Sequence, residues 1–361
     1  MSTLPTGGAA PPAPAAPTGT APTTTAGRLR AVAAAVGRFV RSQPLGAVAL
    51  SVLTLFVLCG LLAPLVAPYD PLEQFRRDIL AEPSAQFWLG TDDLGRDVLS
   101  RSLHGARTSL LIGVATTAVS LVLGTTIGVV SGYAGRGVDL VLQRVMDAVQ
   151  AVPGIVLLLF IAVILGPSVR NTIIALTVVI TPAFNRIARG ETLRVREERY
   201  VEAARATGAG LGRILFRHVL PNILAPVFTL ASLIFAGVII AESALSFLGI
   251  GPPPPTPSWG MMLSEGVRYV ERAPWMIVVP AILLSLAVFS LNLLGDALRD
   301  HLDPRLQRTV FTESRRWWRP RPPAGLAPGL AAAADRTDGT SAQPGPDDRP
   351  PAAGPGGPSH L

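Results

Sequence analysis

Side chains able to make or break bonds are sparse and scattered along this chain. All 31 basic side chains are arginine. Without lysine there is no Gly-rich phosphate loop closing on Gly-Lys-Ser/Thr and no Schiff-base amine, so the chain is not itself a standard ATPase. His104, His218, His301 and His360 lie far apart, and none has a histidine four residues away. Cys59, the sole cysteine, falls inside an apolar run, where a small buried hydrophobe is the ordinary reading, and a disulfide within the chain is excluded. We therefore expect no catalytic metal, no cofactor and no enzymatic activity. Asp92, Asp93 and Asp97 flank Gly95 and Arg96; a turn held by side-chain-to-backbone hydrogen bonds is the favoured reading, with metal binding as the alternative. Three carboxylates fall within apolar stretches: Glu242, Asp147 and Asp296, the last placed near the inner interface and carrying less weight. A carboxylate in the membrane is a functional candidate, lining a pathway or pairing with a cation, and the competing reading of Glu242 is a hydrogen bond that fixes helix packing.

The chemistry with most content is recognition. Residues 189–222 form an Arg-rich polar loop between two apolar segments, and Glu202-Ala203-Ala204-Arg205-Ala206-Thr207-Gly208 lies at its centre. Good helix formers and a spacing of four between Arg194 and Glu198 predict an exposed helix, ended by Gly208 and Gly210, which tolerate φ > 0. A second helix is predicted over Leu211 to Leu220, stopping before Pro221 because proline disfavours helix in the residue before it. The small side chains of Ala203, Ala204, Ala206 and Gly208 give this knuckle a low profile suited to a groove on another protein. The duller reading is a charged loop that only sets membrane orientation.

The elements that position this loop are membrane spans. Half of the residues are hydrophobic (49%), only 15% are charged and mean hydropathy is +0.44, which points to lipid as the main solvent. Six apolar stretches, Leu45 to Ala67, Thr108 to Tyr133, Leu140 to Leu165, Asn171 to Ile187, Ala225 to Leu248 and Trp275 to Leu298, suit about 30 Å of hydrocarbon. The third carries Gln143, Arg144, Asp147, Gln150 and Pro153, which must face other helices, water or the interface. Positive charge orients the bundle. Residues 185–222 hold eight Arg against four Glu and residues 299–321 seven Arg against three acids, whereas residues 68–107 carry five Arg and seven acids and residues 250–273 two of each. Both termini and the Arg-rich loop are thus expected in the cytoplasm. The expected organisation is a disordered tail over 1–40, a first span and outer linker over 41–107, a core over 108–310 and a second disordered tail over 311–361. Gly124, Gly128 and Gly132, with Gly113 before them, form a small-residue stripe for close helix approach. The run Gly251 to Pro257 is not helical, and is read as a helix stop followed by Trp259 as an aromatic interface anchor, or as a rigid seat for an external protein.

Glu202, Ala203, Ala204 and Gly208, followed by Leu220-Pro221, resemble the Glu-Ala-Ala loop of the membrane subunits of bacterial ABC importers. His218 departs from that family's usual aliphatic residue, but Arg217-His218-Val219-Leu220-Pro221-Asn222 is similar to the peptide-importer branch. Leu89 to Arg101, Gly105 to Leu110, and Glu242 to Gly249 through Pro257-Ser258-Trp259-Gly260 extend the resemblance to the dipeptide/oligopeptide/nickel permease family over roughly 40 to 310. What the resemblance implies is an all-α, six-span permease in a cell membrane, paired with a second, non-identical permease subunit. Two cytoplasmic ATPase subunits and an extracytoplasmic solute-binding protein complete the expected machine; nucleic acid does not. The implied activity is import of di- or oligopeptides, with nickel or another small solute as the alternative on the same fold. Glu202, Ala203, Ala204, Gly208, Leu220 and Pro221 are the implied ATPase-coupling residues. The rival class is an ion-gradient-driven secondary transporter, which calls for paired ionisable residues inside the membrane.

Overall fold

The computed structural model describes residues 43–302; both expected tails lie outside the described residues. Among the described residues the chain is helical, with one isolated bridge between Thr91 and Asp97. Helix α1 spans Pro44–Leu61, with Pro44 in the first turn where its missing N–H removes no helix bond, and a one-turn helix Ala63–Val66 follows it. Helix α2, Val98–Ala134, is 37 residues long, about 55 Å at the usual rise. It starts well before the predicted Thr108. The Asp97 carboxylate caps it, accepting from the Ser100 N–H at 2.8 Å and the Ser100 hydroxyl at 2.7 Å. Arg101, His104 and Arg107 had hidden this first stretch from a reading by hydropathy.

The predicted third span is not one helix. It divides into α3, Arg136–Ala151, and α4, Gly154–Leu165, whose axes meet at 91°. Pro153 has no N–H to continue the ladder and drives Val152 into extended backbone, ψ 133°. Helix α5 follows over Val169–Arg196, then α6 over Arg199–Ala206, α7 over Leu220–Phe247, α8 over Trp259–Val267 and α9 over Trp275–Leu302. Among the described residues five helices are long and apolar enough to cross a membrane, and the α3–α4 pair makes six when counted as one broken span.

The glycine stripe of α2 is a packing surface. A Cβ on Gly124 would stand 2.5 Å from the Phe184 Cβ, and one on Gly128 2.6 Å from the Asn185 carbonyl oxygen, so α5 lies directly against the α2 backbone. Phe184, Ala188 and Val195 of α5 then join Ile223 and Val227 of α7 in one apolar cluster. A second cluster gathers α1, α2 and α9 around Trp259. The interface-anchor reading of Trp259 is overturned: its side chain is fully buried, meets Phe56 edge-on at 5.6 Å and donates from Nε1 to the Ser102 carbonyl at 3.2 Å. Gly105 packs closely against it: a Cβ there would stand 3.3 Å from the indole Cδ1. Leu65, Phe160, Val163 and Ile282 stand exposed on the outside of the bundle, an arrangement that hydrocarbon tolerates and water does not.

Candidate functional site

Helix α5 carries the chain straight out of the bundle to Arg196, and the turn at Glu197 and Glu198 redirects it into α6. The predicted exposed helix is therefore two helices: its first part belongs to α5. Three apolar side chains nail the hairpin down from below. Val201, Ile214 and Val219 are buried in the same cluster as Val195 and Ile223, so the loop has its own root in the core. Two arginines tie it sideways to the end of α2: Arg196 donates to the Gly132 carbonyl at 2.9 Å, and Arg205 donates to the Tyr133 hydroxyl at 3.2 Å with its guanidinium 5.1 Å from the ring centre.

Helix α6 ends as its glycine requires. Gly208 takes φ 78°, its N–H reaches the Arg205 carbonyl at 2.9 Å, and the Ala209 N–H reaches back to Ala204 at 3.0 Å, satisfying carbonyls that the helix end leaves open. The return arm is where the sequence reading fails. The chain forms a short helix Leu211–Ile214, a wide turn Leu215–Val219 and then α7 without a stop at Leu220, so Pro221 lies inside the first turn of a long helix. The widened turn lets the Leu220 N–H bond to the Leu215 carbonyl, five residues back, which opens room for the proline ring. The Asn222 side chain donates to the His218 carbonyl at 2.6 Å. His218, which departs from an aliphatic pattern, stands with its ring centre 6.1 Å from that of Tyr200 and links the two arms.

The six predicted coupling residues separate into two groups. Glu202, Ala203 and Gly208 are exposed on the outer surface of the hairpin, while Ala204 is half-buried against the core. Leu220 packs against that core and Pro221 is exposed at the start of α7, so these two shape the root and not the tip. Sequence reasoning missed Leu211 and Phe216, which stand 58% and 76% exposed on the return arm. Hydropathy alone could not single out Phe216, since it follows Ile214 and Leu215 in an apolar run whose other members pack inward.

The remaining candidates lie elsewhere. Asp147 is exposed on α3. Glu242 is fully buried in α7, where it accepts from the Ser246 hydroxyl at 2.7 Å and faces the Ser243 hydroxyl at 3.4 Å. At the end of the bundle opposite the hairpin, Asp92 accepts from the Leu94 and Arg96 N–H groups at 2.9 and 2.8 Å, the turn that its spacing suggested. The same carboxylate pairs with Arg96 and Arg101, and Arg101 bridges on to Glu265 of α8 at 2.8 Å. Carboxylate oxygens of Asp92, Asp93 and Glu265 lie within 4.8 Å of one another, and the two guanidiniums supply the positive charge that this crowding calls for. Burial pushes the Glu265 carboxyl up, and Arg101 and Arg96 pull it only part of the way back.

Known proteins are similar to this chain over most of the described residues. The family described as binding-protein-dependent transport system inner membrane component matches residues 124–308, and the N-terminal TM domain of oligopeptide transport permease C matches residues 35–83. The chain is 45% identical over 262 residues to the Di/tripeptide transport system permease protein DppC of Pseudomonas aeruginosa, covering 71% of this chain and 86% of that one. It is 41% identical over 268 residues to the Dipeptide transport system permease protein DppC of Alkalihalophilus pseudofirmus, covering 74% and 88%. The Glutathione transport system permease protein GsiD of Pectobacterium atrosepticum is 40% identical over 271 residues, covering 75% and 90%.

Proposed function

We propose, starting from the fact that this chain belongs to the binding-protein-dependent transport system inner membrane component family, that it is one of two non-identical permease subunits of an ATP-driven ABC importer. The family is a multi-pass membrane permease of the inner membrane and not a catalyst. In our reading the chain supplies half of the translocation pathway. The observation that carries this is the hairpin: rooted by Val201, Ile214 and Val219, it leaves Glu202, Ala203 and Gly208 uncovered. A surface held so firmly and left so bare suits a cleft in another protein.

That protein is a cytoplasmic ATPase subunit, one of two, with Glu202 as the polar contact and Ala203 and Gly208 providing the close fit. The hairpin joins α5 directly to α7, so a pull on it acts on both helices at once and can rock the bundle between inward- and outward-open states. Excess arginine in the loop supports its cytoplasmic placement and that of both termini. An extracytoplasmic solute-binding protein delivers substrate to the opposite end. Relatives named for di/tripeptides, dipeptides and glutathione support a di- or oligopeptide as cargo.

The test pairs assembly with transport. In cells carrying the whole system, Ala203→Glu is expected to abolish co-purification of the ATPase subunits and to lower uptake of labelled dialanine about tenfold or more, because it buries a charge in a close-packed contact. Normal co-purification and uptake in that variant would sink the coupling assignment.

A further inference from the structure

Helix α3 is amphipathic in the reverse sense. Its apolar side chains Val138, Leu140, Val141 and Val145 stand 46 to 64% exposed, while Asp139 and Gln143 turn toward the protein and Arg144 and Asp147 stay exposed. A helix against water does the opposite. Asp139 accepts a two-point bond from Arg189 of α5, at 2.6 Å from Nε and 2.7 Å from Nη2, and also accepts from the Ser131 hydroxyl of α2. One turn along, Gln143 donates to the Ser131 hydroxyl at 2.7 Å and accepts from the Asn185 amide at 3.1 Å. Near the end of α3, Gln150 accepts from Arg186. The α5 partners all fall within 185–189, and α5 runs on from there without a break to Arg196, where the hairpin begins. The other end of α3 is the joint at Val152 and Pro153.

We infer that Asp139, Gln143 and Arg189 are positioning residues that strap α3 to the hairpin end of α5, so that a displacement of the hairpin is handed through α3 to the joint with α4. The inference rests on the coupling role proposed for the hairpin. The fork of Arg189 on Asp139 fixes angle as well as distance, and the amide pair one turn away stops α3 from pivoting about it. A strap of this kind makes the break in the third span a driven joint rather than a passive kink.

The experiment uses the complete complex with its ATPase subunits in lipid nanodiscs, in a Cys59→Ser background. Spin labels on Val156→Cys and Phe289→Cys follow α4 against α9, and labels on Ile187→Cys and Phe289→Cys follow α5 against the same reference. Pulsed distance measurements are made without nucleotide and with ATP plus vanadate. ATP is expected to shift both pairs in the otherwise intact protein. With Asp139→Asn and Gln143→Leu together the α4 shift is expected to fall about threefold or more while the α5 shift persists. Exchanging the charges, Asp139→Arg with Arg189→Asp, is expected to restore the α4 shift. An undiminished α4 shift in the strap variant overturns the strap and leaves the hairpin reading standing. Loss of both shifts, unrestored by the exchange, marks a merely structural role and also overturns it. If ATP moves neither pair in the intact protein, the coupling reading fails and the strap fails with it.

Discussion

The two ends of the bundle handle charge in opposite ways. At one end Asp92, Arg96 and Arg101 are almost wholly buried and answer one another and Glu265 within the protein. At the hairpin end, Glu198, Arg199, Glu202 and Arg213 are exposed, and the side chains that root the hairpin, Val201, Ile214 and Val219, are apolar. Buried, mutually satisfied charges fix one geometry at a large desolvation cost, so they suit a part of the protein that must keep its shape. Exposed charge over an apolar root suits a part that keeps its own shape while offering its surface to something else. With the hairpin read as proposed, the difference separates a structural end from a contact end.

Substitutions can break or sharpen this contrast. The largest effect is expected from Arg101→Ala, which strips Asp92 and Glu265 of a shared buried cation and should cost about 3–5 kcal/mol. Unfolding of detergent-purified protein followed by intrinsic fluorescence measures it; a loss under about 1 kcal/mol would mean that this end is not held by its ion network. Gly128→Val should come next, at about 1–3 kcal/mol by the same measurement, because its side chain would strike the Asn185 carbonyl. Gly208→Ala should cost only about 1 kcal/mol, since φ is positive there but nothing lies within 4 Å of the new Cβ. A much larger loss of stability would show the tip to be part of the core after all. The smallest effect is expected from Glu242→Gln, which keeps an acceptor for Ser246. With Glu242 read as a packing residue, dialanine uptake should stay within about twofold and stability within about 1 kcal/mol. Uptake that collapses while stability holds would move Glu242 from packing to the pathway.

The contact end was easier to read in the sequence than the structural end. Glu202, Ala203, Ala204 and Gly208 are contiguous, so their grouping needed no tertiary information, and Gly208 announced the end of α6 through its tolerance of positive φ. The ion network joins residues 92, 96 and 101 to residue 265, and only folding brings α8 to them. Arg101 fell outside the apolar stretch that began at Thr108, since hydropathy averages have no way to know that a charge will meet its partner. Pro221 failed in the other direction. A local rule predicted a helix stop, and a widened turn five residues long absorbed the ring. Trp259 was read as an interface residue because aromatic side chains next to a span commonly are; residues of three other helices, Phe56, Ala106 and Leu291 among them, bury it.

By itself, the sequence determined the solvent of this protein, the number of its apolar segments, the absence of a phosphate-binding lysine and the place of its polar hairpin. Those properties follow from composition and from neighbours within a few residues, the range over which helix propensity, hydropathy and proline geometry act. The tertiary structure alone decided which polar residues of the third segment face the protein, that this segment bends at Val152 and Pro153 through 91°, and that Glu242 meets serines and not a cation. A buried polar group is defined by the partner it finds, and that partner here lies on another helix or another turn.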